Sequence, residues 1–141
     1  MTETTLAHPN YSGQWELSKA NSRLEIAMPD EVVLRIDHDE PLFHIERTLK
    51  FGPQTSTFAI DLSIGEENEA VTRGDALVFP SLWWDEDGLV FESKIVQKDE
   101  LAKNTVRYRL LDDGAMLIAD EHYRSSGQQY DNYWVFRKEE S

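Results

Sequence analysis

The sequence predicts an all-β domain, a closed antiparallel up-and-down barrel of about eight to ten strands with at most one short helix. Three observations carry that expectation. Apolar and polar residues alternate with period two along most of the chain. Short turn-forming segments rich in Gly, Asp, Asn and Pro separate the alternating runs. The connections are too short for parallel crossovers, so consecutive strands must run antiparallel. A meander of this size exposes two edges unless it rolls up, and a barrel removes them.

The elements follow in order. Val32 to Asp37 reads as the first long strand, ended by the turn Asp39-Glu40-Pro41. Phe43, Ile45, Leu49 and Phe51 then alternate with His44, Glu46, Thr48 and Lys50 as in a half-buried strand. Gly52-Pro53 breaks that run. Phe58, Ile60, Leu62 and Ile64 form the next apolar face, and Gly65-Glu66-Glu67-Asn68 turns into a short strand at Ala70 to Arg73. Ala76 to Trp84 follows, with Pro80 predicting a bulge or irregular edge. Asp85 to Gly88 is a hairpin loop, Leu89 to Val96 returns, and Lys98 to Lys103 reads as a polar connection. Thr105 to Leu111, the Asp112-Asp113-Gly114 turn, Ala115 to Arg124, Ser125-Ser126-Gly127 and Gln128 to Arg137 complete the chain. Only Ser18 to Met28 offers a short helix or 3₁₀ turn. Residues 10–138 form the predicted domain, and 1–9 a tail.

Composition narrows the function. The chain has 141 residues, enough for one core, and 11% are aromatic, including four Trp, a large supply of rings for a core or pocket. The net charge of −13 repels phosphate backbones and anionic headgroups, so nucleic acid is not an expected partner. With no cysteine, thiolate chemistry and disulfides are excluded. No apolar run approaches a membrane span, and no signal peptide is visible at Met1 to Leu6, which points to a cytoplasmic protein.

Tyr11-Ser12-Gly13-Gln14-Trp15-Glu16-Leu17 resembles the Gly-x-Trp signature that opens the first strand of lipocalins and related calycins. The resemblance implies that Gly13 and Trp15 close one end of the barrel. It also implies that Arg137, near the end of the last strand, packs over the Trp15 indole, a cation–π contact. The runs Trp84-Asp85-Glu86-Asp87-Gly88-Leu89-Val90 and Arg107-Tyr108-Arg109-Leu110 with Asp112-Asp113-Gly114 are similar to those of small bacterial lipocalin-like proteins of unassigned function. The likeness spans roughly residues 10 to 138. The signal peptide and disulfide of secreted lipocalins are missing.

A barrel of this size holds one small ligand or a plug of side chains. The expected cavity lining is Phe43, Ile45, Arg47, Phe58, Ile60, Trp84, Phe91, Tyr108, Tyr130 and Trp134. Arg47 shares the parity of Phe43, Ile45 and Leu49, so it faces inward, where it meets a ligand carboxylate or an internal acidic partner, or else lies at the rim. Trp83 and Trp84 point to opposite faces. His44, Asp120 and His122 are the residues that could ligate a metal, but no spacing is diagnostic, so neither metal nor cofactor is expected. No catalytic motif is present: Gly-x-Ser-x-Gly, a phosphate loop and His-Glu-x-x-His are all lacking.

These readings favour a binding protein for a small hydrophobic or amphipathic molecule. An enzyme (hydrolase, isomerase or lyase) on the same barrel is the alternative. A filled barrel presenting Trp83 and Phe79 to a partner, with a homodimer as one form, is the third.

Overall fold

The computed structural model describes residues 8–86 and 88–139. The strands are β1 (Gly13–Leu17), β2 (Arg23–Leu24), β3 (Glu31–Asp39), β4 (Leu42–Phe51), β5 (Gln54–Ser63), β6 (Val71–Arg73), β7 (Ala76–Asp85), β8 (Gly88–Gln97), β9 (Glu100–Leu111), β10 (Met116–Ser125) and β11 (Gln129–Lys138). They form one antiparallel sheet in the order β5-β4-β3-β1-β11-β10-β9-β8-β7-β6, with β2 beside β11.

The first and last long ribbons meet, Leu17 opposite Phe136 and Trp15 opposite Lys138. The sheet is thus rolled so that its chain termini lie together in its middle and its edges are β5 and β6. This is a curled half-barrel. Where a fully laddered ring was expected, no ladder joins β5 to β6 among the described residues. The seam is stitched at one end, where Gly65 N–H donates to Leu82 O at 2.7 Å. Toward the other end β6 is only three residues long, too short to carry pairing along β5.

Alternation along each strand sends one side chain in two to the inner face. There Val32, Leu34 and Ile36 of β3 meet Phe43 and Ile45 of β4, Ile60 and Leu62 of β5, and Leu82, Leu89 and Phe91 of β7 and β8. Val106, Leu117, Ala119 and Phe136 complete the wall. β-branched and aromatic side chains fit such a pleated, half-buried surface, and each fully buried one stabilises the fold by about 1.5–3 kcal/mol.

Three local expectations are made sharper or corrected. Ser18 to Met28 holds the expected short 3₁₀ turn, at Lys19–Asn21, and β2 follows it along β11. Its apolar residues lack a helical stripe, while Leu24 and Ile26 pack on the core. The polar connection at Lys98 to Lys103 shrinks to a two-residue turn. Lys98 (φ 47°) and Asp99 (φ 65°) both adopt left-handed backbone, as a tight hairpin requires, so β9 starts at Glu100. Pro80 causes no bulge. It stays in register opposite Ser93, on a stretch of β7 beyond β6 that has a strand on one side only.

Candidate functional site

One end of the half-barrel is packed shut. Trp15 is fully buried, and its Nε1–H donates to Tyr11 O at 3.0 Å. Tyr11, also fully buried, donates its hydroxyl to Tyr108 O at 2.9 Å. The cation over the Trp15 ring is Lys138, its Nζ 5.5 Å from the centroid, and not Arg137. Strand parity explains the exchange. Lys138 stands opposite Trp15 in the β1–β11 ladder, whereas Arg137 stands opposite Glu16 and is exposed. Gly13 has φ 144°, and a Cβ there would lie 2.8 Å from Lys138 Cε, so glycine leaves room for that lysine stem.

The same end holds an aromatic cluster. His38 Nδ1 accepts from Tyr11 N–H at 3.1 Å, so its proton sits on Nε2, which donates to Glu40 Oε1 at 2.8 Å. Trp84 Nε1–H also donates to Glu40, and the indole stacks on His8 with centroids 3.9 Å apart. Phe43 meets Tyr11 and His38 edge-on. Phe43 and Trp84, expected in a ligand pocket, therefore stand in this plug instead.

Away from the plug the interior is hollow. A cavity of about 260 Å³ is lined by Leu34, Ile45, Phe58, Ile60, Phe91 and Val106, among other apolar residues of β3 to β9. Arg47, Arg73, Ser93, Asn104, Tyr108 and Glu121 are its polar members. A smaller hollow of about 60 Å³ shares Leu34, Arg47, Val106, Tyr108 and Glu121 with it, and adds Trp134 and Phe136. Tyr130 lines neither; it stacks on Tyr123 with centroids 4.8 Å apart.

Two charged poles distinguish the cavity. At the seam, two guanidiniums approach the Phe58 ring of β5, the Arg73 Cζ at 4.2 Å and the Arg47 Cζ at 5.6 Å from its centroid. Among the described residues neither arginine forms an ion pair. The second pole is Glu121 of β10. Its Oε1 accepts from Asn132 Nδ2 and Trp134 Nε1, each at 2.9 Å, and its Oε2 accepts from Asn104 Nδ2 at 3.0 Å. Asn132 is itself buried and accepts from Glu25 N–H at 2.9 Å. Charge-assisted bonds from three neutral donors hold a partly buried carboxylate in place.

Sequence reasoning passed over Glu121 and Arg73. Glu121 shares parity with Leu117 and Ala119, which was the available signal. Arg73 lies in a strand too short for parity to speak. His44 and His122 stand on the outer face, each with Nδ1 2.7 Å from an aspartate oxygen, of Asp61 and Asp131 respectively. Hydrogen bonds from His122 and then Arg124 hold the Asp131 carboxyl below its usual range. Trp83 and Phe79 lie exposed on the outer face of β7.

Burial pushes the Tyr108 hydroxyl above its ordinary value, with the Glu121 carboxylate adding to the rise and Arg47 opposing it. The folded state thus keeps a proton that the unfolded chain loses near pH 10. Its contribution to stability is complete below that pH and is lost as pH rises above it. We expect Tyr108→Phe to flatten the alkaline fall in urea stability between about pH 9 and 11. Equal slopes for the two proteins would contradict this.

The fold and its interior define a class by architecture, a curled antiparallel half-barrel of calycin-like fold with a mainly apolar cavity. No protein-family model matches the chain, and no curated protein matches it in sequence. Solved structures match in fold. Secretory abundant heat soluble protein 4 from Ramazzottius varieornatus superposes with a TM-score of 0.63 at 14% identity, covering 97% of this chain and 100% of that one. The REP1-NXSQ fatty acid transporter gives 0.59 at 13%, covering 92% and 96%. The zebrafish ileal bile acid-binding protein, complexed with cholic acid, gives 0.60 at 14%, covering 92% and 98%. At these identities the likeness is one of fold. Among the described residues no helix is long and apolar enough to cross a membrane.

Proposed function

We propose that this chain binds a small, mainly apolar acid in the half-barrel cavity, with the acid group at Arg47 and Arg73. One observation carries the reading: two guanidiniums with no carboxylate partner among the described residues approach Phe58 at the cavity wall of a protein whose net charge is −13. In so acidic a chain, two such cations at the mouth of an apolar hollow form a local anion site. The apolar lining holds the hydrocarbon part, and its burial supplies most of the affinity. The fold neighbours support the reading by their names, one a fatty acid transporter and one a bile acid-binding protein.

Titration with octanoate tests it, since an eight-carbon chain suits about 260 Å³. Saturable heat of binding and a change in Trp emission are expected, because Trp134 borders the smaller hollow. The double variant Arg47→Ala/Arg73→Ala should weaken binding by about tenfold or more while leaving the melting temperature nearly unchanged, since both side chains are exposed. Octanoate that leaves emission and melting temperature unaltered would remove the proposal, as would unchanged affinity in the double variant.

A further inference from the structure

The Glu121 pole is unlike the rest of the cavity and is not used by an acid seated at Arg47 and Arg73. It presents a carboxylate to the interior from β10, among Asn104, Ser93 and Tyr108. The Asn104 amide shows how strongly that charge orders its surroundings. Its Nδ2 donates to Glu121 Oε2, and the Oδ1 on the other side of the same amide is buried with no hydrogen-bond partner. Turning the amide over would set an acceptor against the carboxylate, so the orphaned oxygen is the lesser penalty. The carboxylate itself is incompletely satisfied: Oε1 takes two donors and Oε2 only one. The Ser93 and Tyr108 hydroxyls at this pole can donate or accept, whereas Glu121 and the orphaned Asn104 oxygen can only accept, and the pole carries one negative charge.

We infer that the β10 side of the cavity, at Glu121, selects a hydrogen-bond donor, so that the ligand is a small acid carrying a hydroxyl or N–H group apart from its acid group. The inference rests on the acid-binding reading above and refines it. A second carboxylate placed inward would meet Glu121 and be repelled. A methyl end would leave the acceptors as they are. A hydroxyl or N–H supplies a further proton to the Glu121 carboxylate, and its own desolvation is then offset by a charge-assisted bond. The polarity runs in one direction: acid toward the seam, donor toward β10.

Three probes that share one eight-carbon acid chain and differ only at its far end test this by calorimetry on the intact chain: octanoate, ω-hydroxyoctanoate and ω-methoxyoctanoate. The hydroxy acid should bind about threefold to tenfold more tightly than octanoate, although its added oxygen makes it less hydrophobic. The methoxy acid accepts but cannot donate, and should bind less tightly than the hydroxy acid. In Glu121→Gln the charge is gone and the new amide can donate to Asn104 Oδ1, so the preference for the hydroxy acid should fall to parity or reverse. The methoxy comparison needs no variant and stands even if Glu121→Gln folds poorly. If octanoate binds while the hydroxy acid binds less tightly than octanoate, or no more tightly than the methoxy acid, the donor pole is overturned and the acid site survives. A preference that persists in folded Glu121→Gln overturns it too. Binding of none of the three overturns both.

Discussion

Trp15→Ala is expected to destabilise the protein by about 3–5 kcal/mol, the range for deleting a fully buried aromatic side chain. Trp15 has no exposed surface, spans β3 and β11 through its cross-strand neighbours Leu34 and Lys138, and anchors Tyr11 through Nε1. Tyr11 in turn holds β9 by its bond to Tyr108 O. Truncation leaves a cavity where β1 meets β11, and releases the plug above the hollow. Urea unfolding followed by far-UV circular dichroism would measure it. A loss below about 1 kcal/mol would mean that this end is not packed as described. Arg137→Ala, in contrast, should change stability by no more than about 0.5 kcal/mol, because that side chain is exposed on the outer face.

Asn132→Leu should cost about 2–4 kcal/mol although the two side chains have the same branched shape and heavy-atom count. The side chain is buried and bridges two elements: its Oδ1 accepts from Glu25 N–H after β2, and its Nδ2 donates to Glu121. Leucine leaves a part-buried backbone N–H without its acceptor and takes one donor from a carboxylate already short of them. The ordinary gain from burying an apolar side chain does not offset this, since Asn132 was already out of water. The same unfolding experiment reads the effect, and the double variant with Glu121→Gln separates its parts. If Asn132 acts mainly through Glu121, the loss in the double variant will be smaller than the sum of the two single losses. Additive losses would show that the Glu25 contact dominates.

Much of this architecture is legible in the chain because a strand's period is two and turns have their own residues. Ile45, Arg47, Phe58, Ile60, Phe91 and Tyr108 share the cavity because parity alone sends each of them inward. Parity does not say how far along the barrel a residue lies. Phe43 and Trp84 face inward too, yet their strands deliver them to the packed end beside Tyr11. Tyr130 stands beside Tyr123 near the far end of β10 and β11, outside the hollow. Arg137 was displaced by one position for the same reason: a register shift of one residue exchanges the two faces, and Lys138 carries the cation on the inner side of the count.

From residue order alone came the strand class, the antiparallel meander, the turns and the inward-facing set, because these depend on neighbours a few residues apart. Only the rolled sheet decided where the seam opens, which inward residues plug one end, and which line a hollow. It also decided that Arg47 and Arg73 approach one ring while Glu121 faces the cavity from another strand. Those facts depend on ladder register between segments far apart in the chain, and no local pattern encodes the distance between two strands that have not yet met.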